Sequence, residues 1–335
     1  MDNNSPSARI TCAPFRPAPW LKNRHLQTIW PAMPWVRGPK PALQHEWLEL
    51  PDGDRTALEW LAVDRQHQRD ERPLLIILHG LEGSADSPYC RHLMWAAAAR
   101  GWRAVVLHFR DCGDYRNRLP RRYHAGETAD LRFFIKRELA LGQQAPIVAA
   151  GYSLGGNALL KYLGESRADT PLAAAVAVSV PLNLHISAEA LQQGFSKLYQ
   201  SHLLNRMKAS VRRKFNPDTA AFDWQRTMTA TSFAEFDDAI TAPLHGFAGK
   251  DDYYDQCSAG HFLGQIEKPT LIIQSLDDPF MTPAVIPTDE KIANCVTLEV
   301  SEHGGHVGFI EGGTPWRPRY YLPERIAKYF DSVIS

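Results

Sequence analysis

The chain has 335 residues, 44% apolar and 22% charged, with 37 Lys and Arg against 37 Asp and Glu. Zero net charge speaks against a global nucleic-acid footprint. Five cysteines without a CxxC pair speak against a disulfide scaffold or a zinc knuckle and fit a reducing compartment. No apolar run approaches the roughly 20 residues of a membrane span. The start, MDNNSPSARI, lacks the apolar stretch and cleavage site of a secretory signal. The expectation is a cytoplasmic protein with no integral membrane segment and no nucleic-acid partner, its oligomeric state left open.

Length allows about two domains, although single α/β domains of this size are common. Residues 1–42 are broken by prolines and carry Trp20, Ile29, Trp30 and Trp35. They predict an irregular arm packed on the body, with only the first ten or so residues loose. Residues 45–50 and 56–63 alternate apolar and polar around PDGD, which predicts an antiparallel hairpin at a sheet edge. Continuous apolar runs then follow at 73–78, 103–109, 146–150 and 173–180. Helical patterns separate them at 90–99, 127–139 and 157–163. Strands buried on both faces and alternating with helices predict a mostly parallel sheet covered on both sides.

The alternation stops near 182 and resumes with strands at 269–275 and 295–300, and Pro323 opens a final helix. The expected organisation is a core of 43–181 and 241–335 with a helical lid insertion at 182–240. Residues 206–214 (RMKASVRRK) are basic and read as a solvated lid helix, with contact to phosphate or anionic lipid as the alternative.

Gly151-Tyr152-Ser153-Leu154-Gly155 matches G-x-S-x-G between an apolar strand and a helix. A strand that turns sharply into a helix puts Ser153 on a strained tip. Gly151 and Gly155 keep side chains out of that turn. The structural alternative is a small-residue turn whose serine caps the helix. Serine needs a base held by a third group. Asp278 follows the strand 269–275, and His306 follows the strand 295–300. Both therefore fall on the same sheet edge as Ser153. Asp277 is the rival acid, read as accepting backbone N–H groups in its own loop. His303 is the rival histidine, read as structural. Gly304 and Gly305 are expected to let His306 approach Ser153 closely. The backbone N–H of Leu154 and that of Leu81, in His79-Gly80-Leu81-Glu82-Gly83, are candidate oxyanion donors. Arg110, Asp111 and Asp114 read as an ion-paired loop anchor. No Walker loop, dinucleotide fingerprint or metal signature is present. No cofactor and no metal are therefore expected.

FRPAPWLKNRHLQTIW, LHGLEGS, HFRDCGD, GYSLGGN, LDDPF and HGGHVGF together resemble the α/β-hydrolase superfamily, and within it the YheT-like esterases related to the EMB8 and ABHD proteins. The resemblance spans about 45–333. It implies the α/β-hydrolase fold, a Ser153–Asp278–His306 triad, and hydrolysis of carboxylic esters or acylglycerols. Arg110-Asp111-Cys112-Gly113 departs from the commoner asparagine-arginine-glycine but touches no triad position. Eukaryotic members often carry an N-terminal membrane anchor, and none is expected here. Apolar residues in 182–240 tilt the expected substrate toward short or medium acyl esters, with water as second substrate. The same triad would serve an amidase, a thioesterase, an acyltransferase or a cofactor-free haloperoxidase-like side activity. A ligand-binding module with little turnover is the non-enzymatic alternative.

Overall fold

The computed structural model describes residues 9–36, 38–62 and 71–334. In chain order the strands are β1 (Ile10–Cys12), β2 (Leu43–Glu49), β3 (Arg55–Leu61), β4 (Leu74–Leu78), β5 (Arg103–Leu107), β6 (Ile147–Tyr152), β7 (Leu172–Val178), β8 (Thr270–Ser275), β9 (Val296–Ser301), β10 (Ile310–Thr314) and β11 (Arg317–Tyr320). The helices are α1 (Arg24–Ile29), α2 (Pro88–Ala99), α3 (Ala129–Ala140), α4 (Leu154–Ser166), α5 (Leu184–Ala190), α6 (Ser196–Lys214), α7 (Trp224–Thr229), α8 (Phe233–Phe236), α9 (Ala242–His245), α10 (Lys250–Cys257) and α11 (Tyr321–Ile334).

Nine strands form one sheet in the order β1-β9-β8-β7-β6-β4-β5-β3-β2. The pairs from β1 to β5 are parallel, whereas β3 pairs antiparallel with both β5 and β2. This is the mostly parallel α/β-hydrolase sheet with the expected edge hairpin. Alternation along β4 separates the two faces. Leu74, Ile76 and Leu78 pack with Phe134 of α3 and Leu160 of α4. Leu75 and Ile77 pack with Leu93 of α2 and Phe330 of α11 on the other side. A small second sheet, β10-β11, was not expected.

The arm departs from its irregular reading. Ile10–Cys12 adds to the sheet as its far edge strand, pairing with Leu298–Val300. Arg24–Ile29 is helical because the Asn23 side chain accepts the N–H groups of His25 and Leu26 at its start. The expected loose tail falls mainly on residues 1–8, which lie outside the described residues. So does residue 63, at the end of the expected hairpin strand. The final helix begins at Tyr321, two residues before Pro323.

Between β7 and β8 the chain is helical, from α5 to α10 and a 3-10 segment at Ala259–Gln265. The basic segment lies on α6. Arg206 donates to the Glu82 carbonyl and Lys208 to the Ala230 carbonyl, both at 2.5 Å. Ser210 donates to Asp111 at 3.0 Å. Arg110 is tied to Asp130, Asp52 and Asp54 at 2.6, 2.7 and 3.0 Å. The edge hairpin's Asp-Gly-Asp turn is thereby locked to the loop after β5. Among the described residues no helix is long and apolar enough to cross a membrane.

Candidate active site

Ser153 sits between β6 and α4 with φ 52° and ψ −118°. A non-glycine residue holds such a conformation only where its surroundings over-determine it. They do so here through close backbone packing. A Cβ on Gly151 would stand 2.5 Å from the Gly155 carbonyl oxygen, and one on Gly155 would stand 2.5 Å from that of His79. The Ser153 N–H donates to the Val178 carbonyl at 2.8 Å, pinning the turn to β7. The side chain does not cap α4.

The loops after β8 and β9 reach the same sheet edge. His306 Nε2 is 3.0 Å from Ser153 Oγ, and His306 Nδ1 is 2.9 Å from Asp278 Oδ2. Asp278 is 1% exposed and also accepts the Phe280 N–H at 2.8 Å. Burial pushes its carboxyl above the usual range, while the His306 ring and the Phe280 N–H oppose that shift. The Phe280 ring lies flat on the imidazole, with centroids 3.9 Å apart. This face contact had no sequence signal beyond adjacency to Asp278.

Asp277 departs from its expected role. Its Oδ1 accepts the Gly305 N–H at 2.9 Å, and its Oδ2 lies 3.4 Å from His303 Nδ1. It therefore braces the histidine loop rather than its own. The glycines before His306 also serve a different approach. A Cβ on Gly305 would stand 2.6 Å from the Arg24 carbonyl oxygen, so the small residue admits α1, not Ser153. Ser275 Oγ donates to the Gly305 carbonyl at 2.8 Å. The His306 N–H donates to Thr28 Oγ1, and the Val307 N–H to Ser179 Oγ.

The loop after β4 is equally braced. His79 is fully buried, with Nδ1 2.8 Å from the Gly80 carbonyl and Nε2 accepting the Phe109 N–H at 3.2 Å. Burial brings its imidazole down to about 4, so it stays neutral near pH 7. Tyr89 and Tyr123 hydroxyls accept the Gly80 and Glu82 N–H groups, both at 2.9 Å. Among the described residues, the N–H groups of Leu81 and Leu154 have no protein acceptor. Tyr89, at the start of α2, and Tyr123, in the stretch before α3, are supports that sequence reasoning missed, because no local pattern pairs a tyrosine hydroxyl with a backbone N–H.

Two cavities meet at Ser153 and His306. One runs under the helical segment and is lined by Leu154, Leu191, Met207, Phe233 and Phe236. The other lies toward the arm and is lined by Thr28, Tyr89, His92, Arg206 and Tyr320. Leu81 borders both. Among the described residues, no group of three or more His, Cys, Asp and Glu side chains could hold a metal.

A serine elbow and a histidine–aspartate pair at the strand ends of a β2-β3-β5-β4-β6-β7-β8-β9 sheet define an α/β hydrolase. Residues 73–313 match the family model described as alpha/beta hydrolase fold, and the chain belongs to that family. It is 43% identical over 325 residues to a protein of Escherichia coli (strain K12) named "Putative esterase YheT", covering 96% of this chain and 94% of that one. It is 31% identical over 323 residues to "Phospholipase ABHD3" of Homo sapiens, covering 94% of this chain and 78% of that protein. It is 31% identical over 321 residues to the embryogenesis-associated protein EMB8 of Picea glauca, covering 90% and 70%. Among solved structures, the Pyrococcus furiosus esterase Pf2001 superposes with a TM-score of 0.56 at 15% identity, covering 88% of this chain and 94% of that chain, a likeness of fold.

Proposed function

We propose that this chain is a serine carboxylic-ester hydrolase acting on short- or medium-chain acyl esters through Ser153, His306 and Asp278. One observation carries the reading: an unbroken relay from Ser153 Oγ through both His306 nitrogens to a buried carboxylate. Hydroxyl, imidazole and carboxylate in that order are what nucleophilic acyl transfer requires. The names of the relatives, an esterase and a phospholipase, point to the same bond class.

In the proposed cycle, His306 Nε2 takes the Ser153 proton as Oγ attacks the ester carbonyl. The free N–H groups of Leu81 and Leu154 receive the oxyanion. The alcohol departs with a proton from His306. Water, deprotonated by His306, then releases the acid from Ser153. Asp278 holds the tautomer with Nδ1 protonated and balances the imidazolium. The apolar cavity takes the acyl chain, and the cavity toward the arm takes the alcohol portion.

The test is intact-mass detection of a phosphonate adduct, mapped to Ser153, followed by turnover of an ester chain-length series. A stoichiometric adduct and ester turnover that both vanish in Ser153→Ala are the expected result. Turnover retained in that variant would remove the nucleophile from the scheme.

A further inference from the structure

The acyl cavity is apolar around Leu191, Met207, Phe233 and Phe236, yet its wall also holds one carboxylate, Asp237. Asp237 is 9% exposed. It lies on a single π-helical turn, Asp237–Thr241, a rare distortion that recurs at functional sites. Thr241 Oγ1 donates to its Oδ1 at 2.7 Å, and the Tyr254 hydroxyl donates to its Oδ2 at 2.8 Å. Both partners are neutral. Among the described residues no Lys, Arg or His stands within ion-pair distance of it. Arg122, which also lines the cavity, faces Glu82 and Asp111 at 3.4 and 3.5 Å instead. His124, another lining group, is held neutral by burial, its imidazole brought down to about 3.

A carboxylate offers about four acceptor sites, and protein donors fill two here. Packing alone would be met by an amide or an aliphatic side chain without the cost of a buried charge. The relay at Ser153 makes no contact with Asp237. What remains is a ligand that brings a hydrogen-bond donor down the cavity.

We infer that Asp237, with Thr241 and Tyr254, forms a recognition subsite for a hydroxyl group on the acyl chain, so that hydroxyacyl esters are favoured over plain alkyl esters. This rests on the ester-hydrolase reading above. A hydroxyl fits the cavity better than an ammonium, because an apolar lining that includes Leu191, Met207 and Phe233 strips water from the chain, and that costs a charged group far more. A chain ending in carboxylate meets like charge at Asp237 and is disfavoured.

The test compares kcat/KM for 4-methylumbelliferyl esters from butanoyl to decanoyl, each with and without a terminal hydroxyl, in wild type and in Asp237→Leu. The ratio within one preparation cancels any loss of folded enzyme. At the matching chain length the hydroxyl form is expected to be favoured roughly tenfold or more, the range of a hydrogen bond to a charged group. In Asp237→Leu the ratio is expected to fall to one or below. Should that variant yield no folded protein, Asp237→Asn is read instead, with a reduced ratio and a gain for the ω-carboxylate ester. No hydroxyl preference at any length in wild type, or a preference undiminished in the variant read, overturns the subsite alone. No turnover of any ester, with no phosphonate adduct on Ser153, overturns the hydrolase reading and the subsite with it.

Discussion

The backbone N–H of His306 donates to Thr28 Oγ1 at 2.9 Å, so a side chain of the N-terminal arm holds the loop that carries the imidazole. Thr28 in turn donates to the Arg24 carbonyl at 2.8 Å, which aims its lone pair at the loop. Gln27, fully buried beside it, donates to the Ile310 carbonyl and accepts the Ile310 N–H. A Cβ on Gly308 would stand 2.1 Å from the Gln27 carbonyl oxygen. Helix and loop therefore interlock.

Thr28→Val keeps the β-branched shape and removes the acceptor, leaving the His306 N–H unpaired. Unmade hydrogen bonds of this kind cost about 1–3 kcal/mol. Part of that cost is expected to appear as misplacement of the ring, because reaction rate falls steeply with small errors of alignment. The expected outcome is a kcat lower by roughly fivefold with KM little changed. Thr28→Ser, which keeps the acceptor, should restore it. Steady-state kinetics on one ester checks both, and a change confined to KM would show that Thr28 acts through the arm-side cavity it lines and not through the His306 loop.

Asp278 accepts from His306 and from the Phe280 N–H, and it has no route to solvent. Asp278→Asn keeps the volume but presents an amide to Nδ1. The imidazole then carries its proton on Nε2, where it cannot accept one from Ser153. The expected loss in kcat is on the order of 10⁴. Phosphonate labelling of Ser153 should slow in parallel, because it needs the same proton transfer. Labelling at the wild-type rate would show that the carboxylate does not set the tautomer.

The sheet was legible because strands buried on both faces appear as unbroken apolar runs. PLLIIL, RAVVL and PIVAA announce their period without help from the rest of the chain. That Ser153, Asp278 and His306 come together was legible from position, each just past a strand end, because a parallel sheet gathers those ends on one edge. What was not legible is long-range support. Thr28, Tyr123 and Ser179 each bind a backbone group of a segment remote in sequence. No local pattern encodes such partners. The arm misled for a related reason: its prolines suppress regular periodicity, yet Asn23 still caps a short helix and Ile10–Cys12 finds a sheet edge. Gly305 also faces the Arg24 carbonyl, a contact that stayed hidden because a glycine reports that something comes close and not what it is.

Ser153 holds φ 52°, a conformation that costs a non-glycine residue about 1–3 kcal/mol. Ser153→Gly removes that strain, offset by about 0.5–1 kcal/mol of added freedom in the unfolded chain. A net gain of about 1 kcal/mol is expected, which raises the melting temperature by roughly 2 °C. Ser153→Ala keeps a Cβ and hence the strain, and should melt with the wild type. Both variants should lose activity by about 10³-fold or more. Melting curves of the three proteins side by side decide it, and equal midpoints for the glycine and alanine forms would show that the elbow stores no strain.

Asp237 gives a stability signature separable from catalysis. Burial pushes its carboxyl up to about 6, although Thr241 and Tyr254 donate to it. In the unfolded chain the same group titrates near 3.9. Between those values the folded state keeps a proton that the unfolded state has released. The Asp237 contribution to folding stability therefore declines as pH rises from about 4 to about 6 and stays lower above that, at about 1.4 kcal/mol for each unit of separation. Asp237→Asn abolishes this titration and retains most of the shape. The variant's stability relative to wild type is thus expected to improve by about 2–3 kcal/mol between about pH 4 and about pH 7. Groups that titrate in both proteins, such as the buried His79, cancel in that difference. Urea denaturation of the pair at the two pH values measures it, and a difference independent of pH would mean that the Asp237 carboxylate is already well compensated in the folded protein.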